Sequence, residues 1–239
     1  LAFNFQTFKT RALTALLFVV VMLTGLLWNF WSFLVLVTII HFGCWFEFVK
    51  LMKKIYADKY LGYCLYGLIY ITMPVLMMFT LQGITISAFA NDVYDSTSLL
   101  TAYSDSESFR FTILIFTIVV IWINDTMAYI VGSFVGKTPF SKISPKKTWE
   151  GTGGGALLAI GAAALFASLL GLNILLITGV AAIIAISGTT GDLLESKLKR
   201  MADVKDSGSF MPGHGGFLDR FDSLLVAIPA VWTYVYFFM

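Results

Sequence analysis

The sequence predicts an all-α, polytopic integral membrane protein of about seven transmembrane helices, with a polar region at the cytoplasmic face. Three observations predict it. Of the 239 residues, 58% are hydrophobic and only 13% charged, a balance unlike that of soluble globular domains and opposite to that of disordered chains. Residues 12–46, 60–91, 111–124, 151–191 and 223–239 contain no charged residue, and a spanning helix needs about 20 predominantly apolar residues. The loops at 50–59 and 137–150 are basic and the segment at 91–108 between them is acidic, which the positive-inside rule reads as opposite faces of a membrane.

The elements follow in order. A basic lead, Lys9 to Arg11, precedes helix one at 12–27, and Trp28, Asn29 and Trp31 mark an interfacial turn into helix two at 30–49. Apolar helix following apolar helix, without a small-residue processing site after Thr24, makes a cleavable signal a poor account of this start. Residues 50–59 hold four Lys against one Asp. Helix three, at 61–81, leads to an acidic segment at 91–108 with four acids and no base, while 84–91 either enter the membrane or skirt it. Helix four, at 110–131, leads to 137–150, which hold four Lys and one Glu. Helices five and six occupy 152–170 and 172–187, with Gly171 and Asn173 supplying the turn. A polar stretch at 188–222 precedes the last span at 223–239.

Seven spans put both basic loops and the polar stretch on one side. The positive-inside rule makes that side cytoplasmic and the acidic segment external. The expected organisation is an N-terminal region, 1–109, of three spans and an external loop, then a catalytic membrane region, 110–239, with cytoplasmic loops at 132–151 and 188–222. A net charge of +2 and the lack of a basic stripe exclude nucleic acid as a partner. Cys44 and Cys64, in or beside apolar spans, give neither a redox nor a zinc signal.

Scarce charges are informative in such a chain. Asp192, Glu195, Ser196 and Lys199 fall at i, i+3, i+4 and i+7, one face of a helix, while Leu194, Leu198 and Met201 line another. Gly188, Gly191 and the intervening Thr pair predict a flexible, close-packing lead into this helix, with Asp192 near its N-terminal turn. Lys205 and Asp206 follow, then Pro212, Gly213, His214, Gly215 and Gly216, whose glycines permit close backbone approach to a ligand. Asp219 and Asp222 would share the mouth of a final helix. Carboxylates suit Mg²⁺, whereas one polar His without a cysteine cluster builds no ordinary zinc site. Lys199, Arg200, Lys205 and Arg220 suit phosphate oxygens.

Asp125 interrupts helix four near its cytoplasmic end, and an acid at membrane depth is a site hypothesis by default. Its alternative is a lone hydrogen-bonded helix acid. Tyr129, Gly132 and Gly136 share roughly its face, so a helix or ligand can come close. Ser144, Pro145, Lys146, Lys147, Thr148, Trp149, Glu150 and Gly151 then form either an anion-binding loop or a basic loop that only sets topology.

These residues resemble the phosphatidate cytidylyltransferase family, the CDP-diacylglycerol synthases. The family signature reads here as Ser196, Lys199-Arg200, Lys205-Asp206, Pro212-Gly213-His214-Gly215-Gly216, Asp219-Arg220 and Asp222, spread over 27 residues. Gly191-Asp192-Leu193-Leu194-Glu195, Asp125 with Ala128-Tyr129, Gly132, Gly136-Lys137, and the Ser144 to Gly151 loop also resemble it. So do Lys9-Thr10-Arg11 and Glu47-Phe48 in the N-terminal spans.

The resemblance implies an enzyme of the cytoplasmic (inner) membrane that joins CTP to phosphatidate with Mg²⁺, releasing pyrophosphate, its active site facing the cytoplasm. It implies Asp192 and Asp219 as metal carboxylates, with Asp222 close by and Asp125 as a further candidate. Lys199, Arg200, Lys205 and Arg220 become catalytic cations. Ser144, Lys146, Lys147, Glu150, Ser196, His214, Gly215 and Gly216 become substrate or cofactor contacts, with His214 shaping the glycine loop or moving a proton. The rival class is an ion-coupled carrier using Asp125 and Asp192; a related lipid-linked nucleotidyltransferase with another lipid is the alternative within enzymes. The small residues at 153–155 and 162–164 permit either packing within the chain or a homodimer interface.

Overall fold

The computed structural model describes residues 5–83, 112–210 and 215–238. The expected acidic loop at 91–108, the uncertain stretch at 84–91 and the Pro212-Gly213-His214 part of the signature lie outside these residues. The described residues are all-α, as expected: α1 (Phe5–Leu27), α2 (Phe30–Tyr56), α3 (Tyr60–Cys64), α4 (Met73–Gln82), α5 (Ile113–Val135), α6 (Trp149–Leu169), α7 (Ile174–Met201) and α8 (Leu218–Phe238). Five helical segments are long and apolar enough to cross a membrane, and Leu13–Leu27 and Leu68–Gln82 are shorter apolar helices. The protein is therefore a multi-pass membrane protein, its apolar segments in the order the charge pattern predicts.

Local chemistry sets the breaks. Asn29 caps α2 by accepting the Ser32 amide at 2.8 Å, while Ser32 Oγ accepts the Asn29 amide at 3.0 Å, a reciprocal capping box at the expected turn. The helix then runs to Tyr56, past the expected end at 49, because Lys50, Lys53 and Lys54 are good helix formers that carry it beyond the apolar stretch. Expected helix three contains a π-helical turn at Leu68–Thr72, followed by Met73 and Pro74, the latter with no amide to donate. Between α6 and α7, Gly171 takes φ +66° and Asn173 Oδ1 accepts the Leu176 amide at 3.2 Å, the turn chemistry the sequence predicts.

One expectation is overturned. Gly188 and Gly191 are not a flexible lead, because α7 is continuous from Ile174 to Met201 and Asp192 stands about five turns inside it. The hydroxyl of Thr190 donates to the Ile186 carbonyl at 2.8 Å, and Ser187 does likewise to Ile183; such back-bonding lets polar residues continue an apolar helix. Gly188 is buried inside this helix, and an added Cβ would meet that of Ser223 at 3.6 Å, an ordinary van der Waals contact. The loop at 188–222 thus shrinks to the residues after Met201, and the one at 132–151 to those between Val135 and Trp149. Helix α7 ends in a Schellman motif, with Asp203 at φ +52°, its amide on the Arg200 carbonyl and the Val204 amide on that of Lys199.

The chain packs as two compact units. The first comprises Leu1–Val75 and Leu194–Asp222. Its α2 buries Phe33, Leu36, Val37, Ile40, Cys44, Glu47, Phe48 and Leu51, a helical stripe with a single acid in it, while Val35, Ile39, Phe42 and Phe46 are exposed apolar residues suited to lipid. The second unit comprises Leu76–Leu193 and Ser223–Met239. There α6 turns Gly151, Gly155, Ala159, Ala163 and Ala167 inward, and a Cβ on Gly155 would lie 2.7 Å from the Asn124 carbonyl of α5. This stripe is the small-residue packing of membrane helices. Gly153 and Gly161, by contrast, have nothing within 4 Å of an added Cβ.

Candidate active site

In the first unit, the signature residues Lys199, Gly216 and Asp219 gather around buried charge. Lys199 pairs with Glu195 one turn before it and donates to Asp219 Oδ1 at 2.6 Å. Asp219 Oδ2 accepts the Ser207 amide at 2.9 Å, the Ser207 hydroxyl at 2.9 Å and the Gly216 amide at 2.7 Å. The same Ser207 hydroxyl lies 2.7 Å from Glu47 Oε2, and Glu47 also accepts the amides of Phe217 at 3.0 Å and Leu218 at 2.9 Å. Gly215 adopts φ +85°, and a Cβ there would lie 2.5 Å from Asp219 Oδ2, so only glycine fits this turn.

The charge balance of this cluster is lopsided. Glu47, Glu195 and Asp222 are buried, Asp219 has a side chain 5% exposed, and Lys199 is the ammonium that faces Glu195 and Asp219. Carboxylate oxygens of Glu195 and Asp222 come within 4.8 Å of each other, and neither Glu195 oxygen receives a hydrogen bond of good geometry. Asp192 precedes Glu195 by three positions on α7, so the two carboxylates share a face. Excess buried negative charge is costly without a counter-cation. An all-oxygen donor set is what a hard divalent ion such as Mg²⁺ takes, so the residues present fit that ion.

In the second unit, the Ser144 to Glu150 loop is folded. Phe140 and Trp149 donate amides to the Lys147 and Thr138 carbonyls at 2.7 and 3.0 Å, and Pro139 bridges Thr148 in antiparallel fashion. Glu150 accepts the amides of Lys137 at 3.1 Å and Thr138 at 3.1 Å, so its carboxylate holds the loop closed. Lys147 pairs with Asp192, which ties this loop to the signature helix. Lys146 is exposed. Gly132 and Gly136 pack on Thr148, as their spacing suggests, whereas Asp125 is exposed and accepts from Asn124 at 3.3 Å.

Residues 71–238 match the Cytidylyltransferase family. The chain belongs to that family. Within this cytidylyltransferase-family chain, the match takes in the folded basic loop, all of α7 and the signature. A phosphatidate cytidylyltransferase of Bacillus subtilis (strain 168) is 44% identical over 132 residues, 53% of this chain and 48% of that protein. Another, of Staphylococcus haemolyticus (strain JCSC1435), is 45% identical over 119 residues, 48% of this chain and 46% of that protein. One of Staphylococcus aureus (strain COL) is 41% identical over the same length. The chain spans about half the length of these curated relatives.

Of the expected site residues, Lys199 and Asp219 meet directly, and Lys147 meets Asp192. Arg200, Lys205 and Arg220 are exposed, Ser196 is buried, and His214 lies outside the described residues. Sequence reasoning missed Ser207 and gave no role to Glu47. A signal for Glu47 existed: it is the acid that ends the 35 charge-free residues 12–46, at membrane depth on a buried stripe.

Proposed function

We propose that the protein is a phosphatidate cytidylyltransferase that transfers CMP from CTP to phosphatidate, giving CDP-diacylglycerol and pyrophosphate. The observation that carries this reading is the meeting of the signature residues Lys199, Gly216 and Asp219 in one buried cluster, in a chain of the cytidylyltransferase family whose relatives bear that name. A phosphate oxygen of phosphatidate attacks the CTP α-phosphorus in line, a new P–O bond forms, and the bond to the β-phosphate oxygen breaks with its electron pair leaving on pyrophosphate.

Both substrates are anions, so charge repulsion is a main barrier. The exposed Lys146, Arg200, Lys205 and Arg220 are suited to receive phosphate oxygens. Mg²⁺, when bound, supplies neutralisation and alignment of the facing phosphates, and Asp192, Asp219 and Asp222, joined by Glu195, are the carboxylates assigned to it. The phosphatidate phosphate is a competent nucleophile near neutral pH, so no strong general base is assigned. The acyl chains stay in lipid, and CTP arrives from the side of the basic loops, which we assign to the cytoplasm.

The test is incubation of purified protein with phosphatidate, Mg²⁺ and each of the four nucleoside triphosphates in turn, following lipid nucleotide and pyrophosphate. CTP alone should give stoichiometric CDP-lipid and pyrophosphate. Folded protein that forms neither product with CTP would overturn the assignment.

A further inference from the structure

We infer that Glu47 is a positioning residue for nucleotidyl transfer: from α2 it fixes the turn at Gly215 and Gly216 and the first turn of α8, and thereby sets where Asp219, Arg220 and Asp222 stand. The inference rests on the function proposed above and adds a residue outside the matched segment 71–238.

The first amides of a helix have no partner within it, and a Ser, Thr, Asp or Asn at the cap ordinarily supplies one. Before Leu218, α8 has Phe217, whose side chain has nothing to offer. Glu47 supplies the acceptor instead, taking the Phe217 amide on Oε1 and the Leu218 amide on Oε2, where a carboxylate also meets the positive end of the helix dipole. Its third contact is with the Ser207 hydroxyl, whose one proton lies between Glu47 Oε2 and Asp219 Oδ2, on the residue whose amide also donates to Asp219. Glu47 therefore holds both segments that grip Asp219.

The glycines around it agree. A Cβ on Gly208 or on Gly216 would collide with the Glu47 carboxylate. One turn back on α2, a Cβ on Gly43 would lie 2.5 Å from the Phe217 ring, so α2 offers a seat for 216–218 as well as an acceptor. Glu47 itself is only 4% exposed, which leaves its carboxylate committed to these donors and away from the phosphates. Misplacement of reacting groups by about 1 Å costs on the order of a hundredfold in rate, so the effect belongs in kcat.

The experiment compares the full chain with Glu47→Ala, Glu47→Gln, Gly208→Ala and the Glu47→Ala/Gly208→Ala double variant. Glu47→Ala should lower kcat about tenfold to a hundredfold while KM for CTP and for phosphatidate each move less than about threefold. Glu47→Gln keeps a carbonyl acceptor and should recover part of the loss; the double variant should be no worse than Glu47→Ala, because the collision at Gly208 needs the carboxylate. Trypsin should cut after Lys205 or Arg220 several times faster in Glu47→Ala. A raised KM at unchanged kcat, an additive double variant, or unchanged cleavage would each overturn the inference. If wild-type protein forms no CDP-lipid, the proposed function fails while the cleavage arm still decides the role of Glu47. If Glu47→Ala does not purify folded, Glu47→Gln and Gly208→Ala carry the same comparison.

Discussion

The ammonium of Lys199 on α7 stands 2.6 Å from the Asp219 carboxylate on α8, across twenty residues of sequence. It also pairs with buried Glu195, so one cation offsets two carboxylates. Removing one partner of a buried ionic group leaves charge uncompensated and typically costs about 3–5 kcal/mol. Lys199→Ala should therefore lower the thermal unfolding midpoint in detergent as well as abolish turnover. Adding Glu195→Gln to it should restore part of the midpoint, and a midpoint equal to wild type in Lys199→Ala would show that the pairing contributes nothing.

The assignment of Mg²⁺ predicts that a chelator abolishes CDP-lipid formation and that added Mg²⁺ restores it. Asp192→Asn should raise the Mg²⁺ concentration for half-maximal rate about tenfold or more, the scale seen when even an outer-shell partner of a metal ligand is lost. Turnover indifferent to chelation would remove the ion from the reaction.

Glu150 makes a separate forecast because its carboxylate holds the Lys137 and Thr138 amides. Glu150→Ala should abolish the hydrogen-exchange protection of those two amides. Equal protection in the variant and the wild type would leave the loop closed by its bridge alone.

The glycines of α6 divide by position. Gly155→Val drives a branched side chain against Asn124 and Ala128 and should destabilise by about 1–3 kcal/mol, the usual cost of overpacking. Gly161→Ala, with open space around it, should be neutral or stabilise by about 0.5–1 kcal/mol through backbone entropy. Heat-induced aggregation of detergent-solubilised protein ranks the two, and the reverse order would contradict the α5–α6 packing.

Local chemistry made much of this legible. The break at Asn29 and the turn at Gly171 and Asn173 are written in capping and left-handed residues that act within four positions. The charge-free stretches place the apolar segments for the same reason, since lipid thickness is a fixed ruler. Gly188 and Gly191 misled because glycine is read by its own freedom, whereas here both lie inside one continuous helix, Ile174–Met201. The Asp192 to Lys199 face was readable, as helical spacing is local. The bonds of Glu47 were not, because no periodicity joins residue 47 to residues 207, 217 and 218.

That separation has a consequence in time. Glu47 is synthesised 160 residues before Ser207 and 171 before Leu218. At about 5–20 residues per second of translation, some 8 to 32 s pass before its first donor exists. During that interval the growing chain carries an acid in an apolar helix whose partners have yet to leave the ribosome. The helix that carries Glu47 is made well before its buried face can be finished.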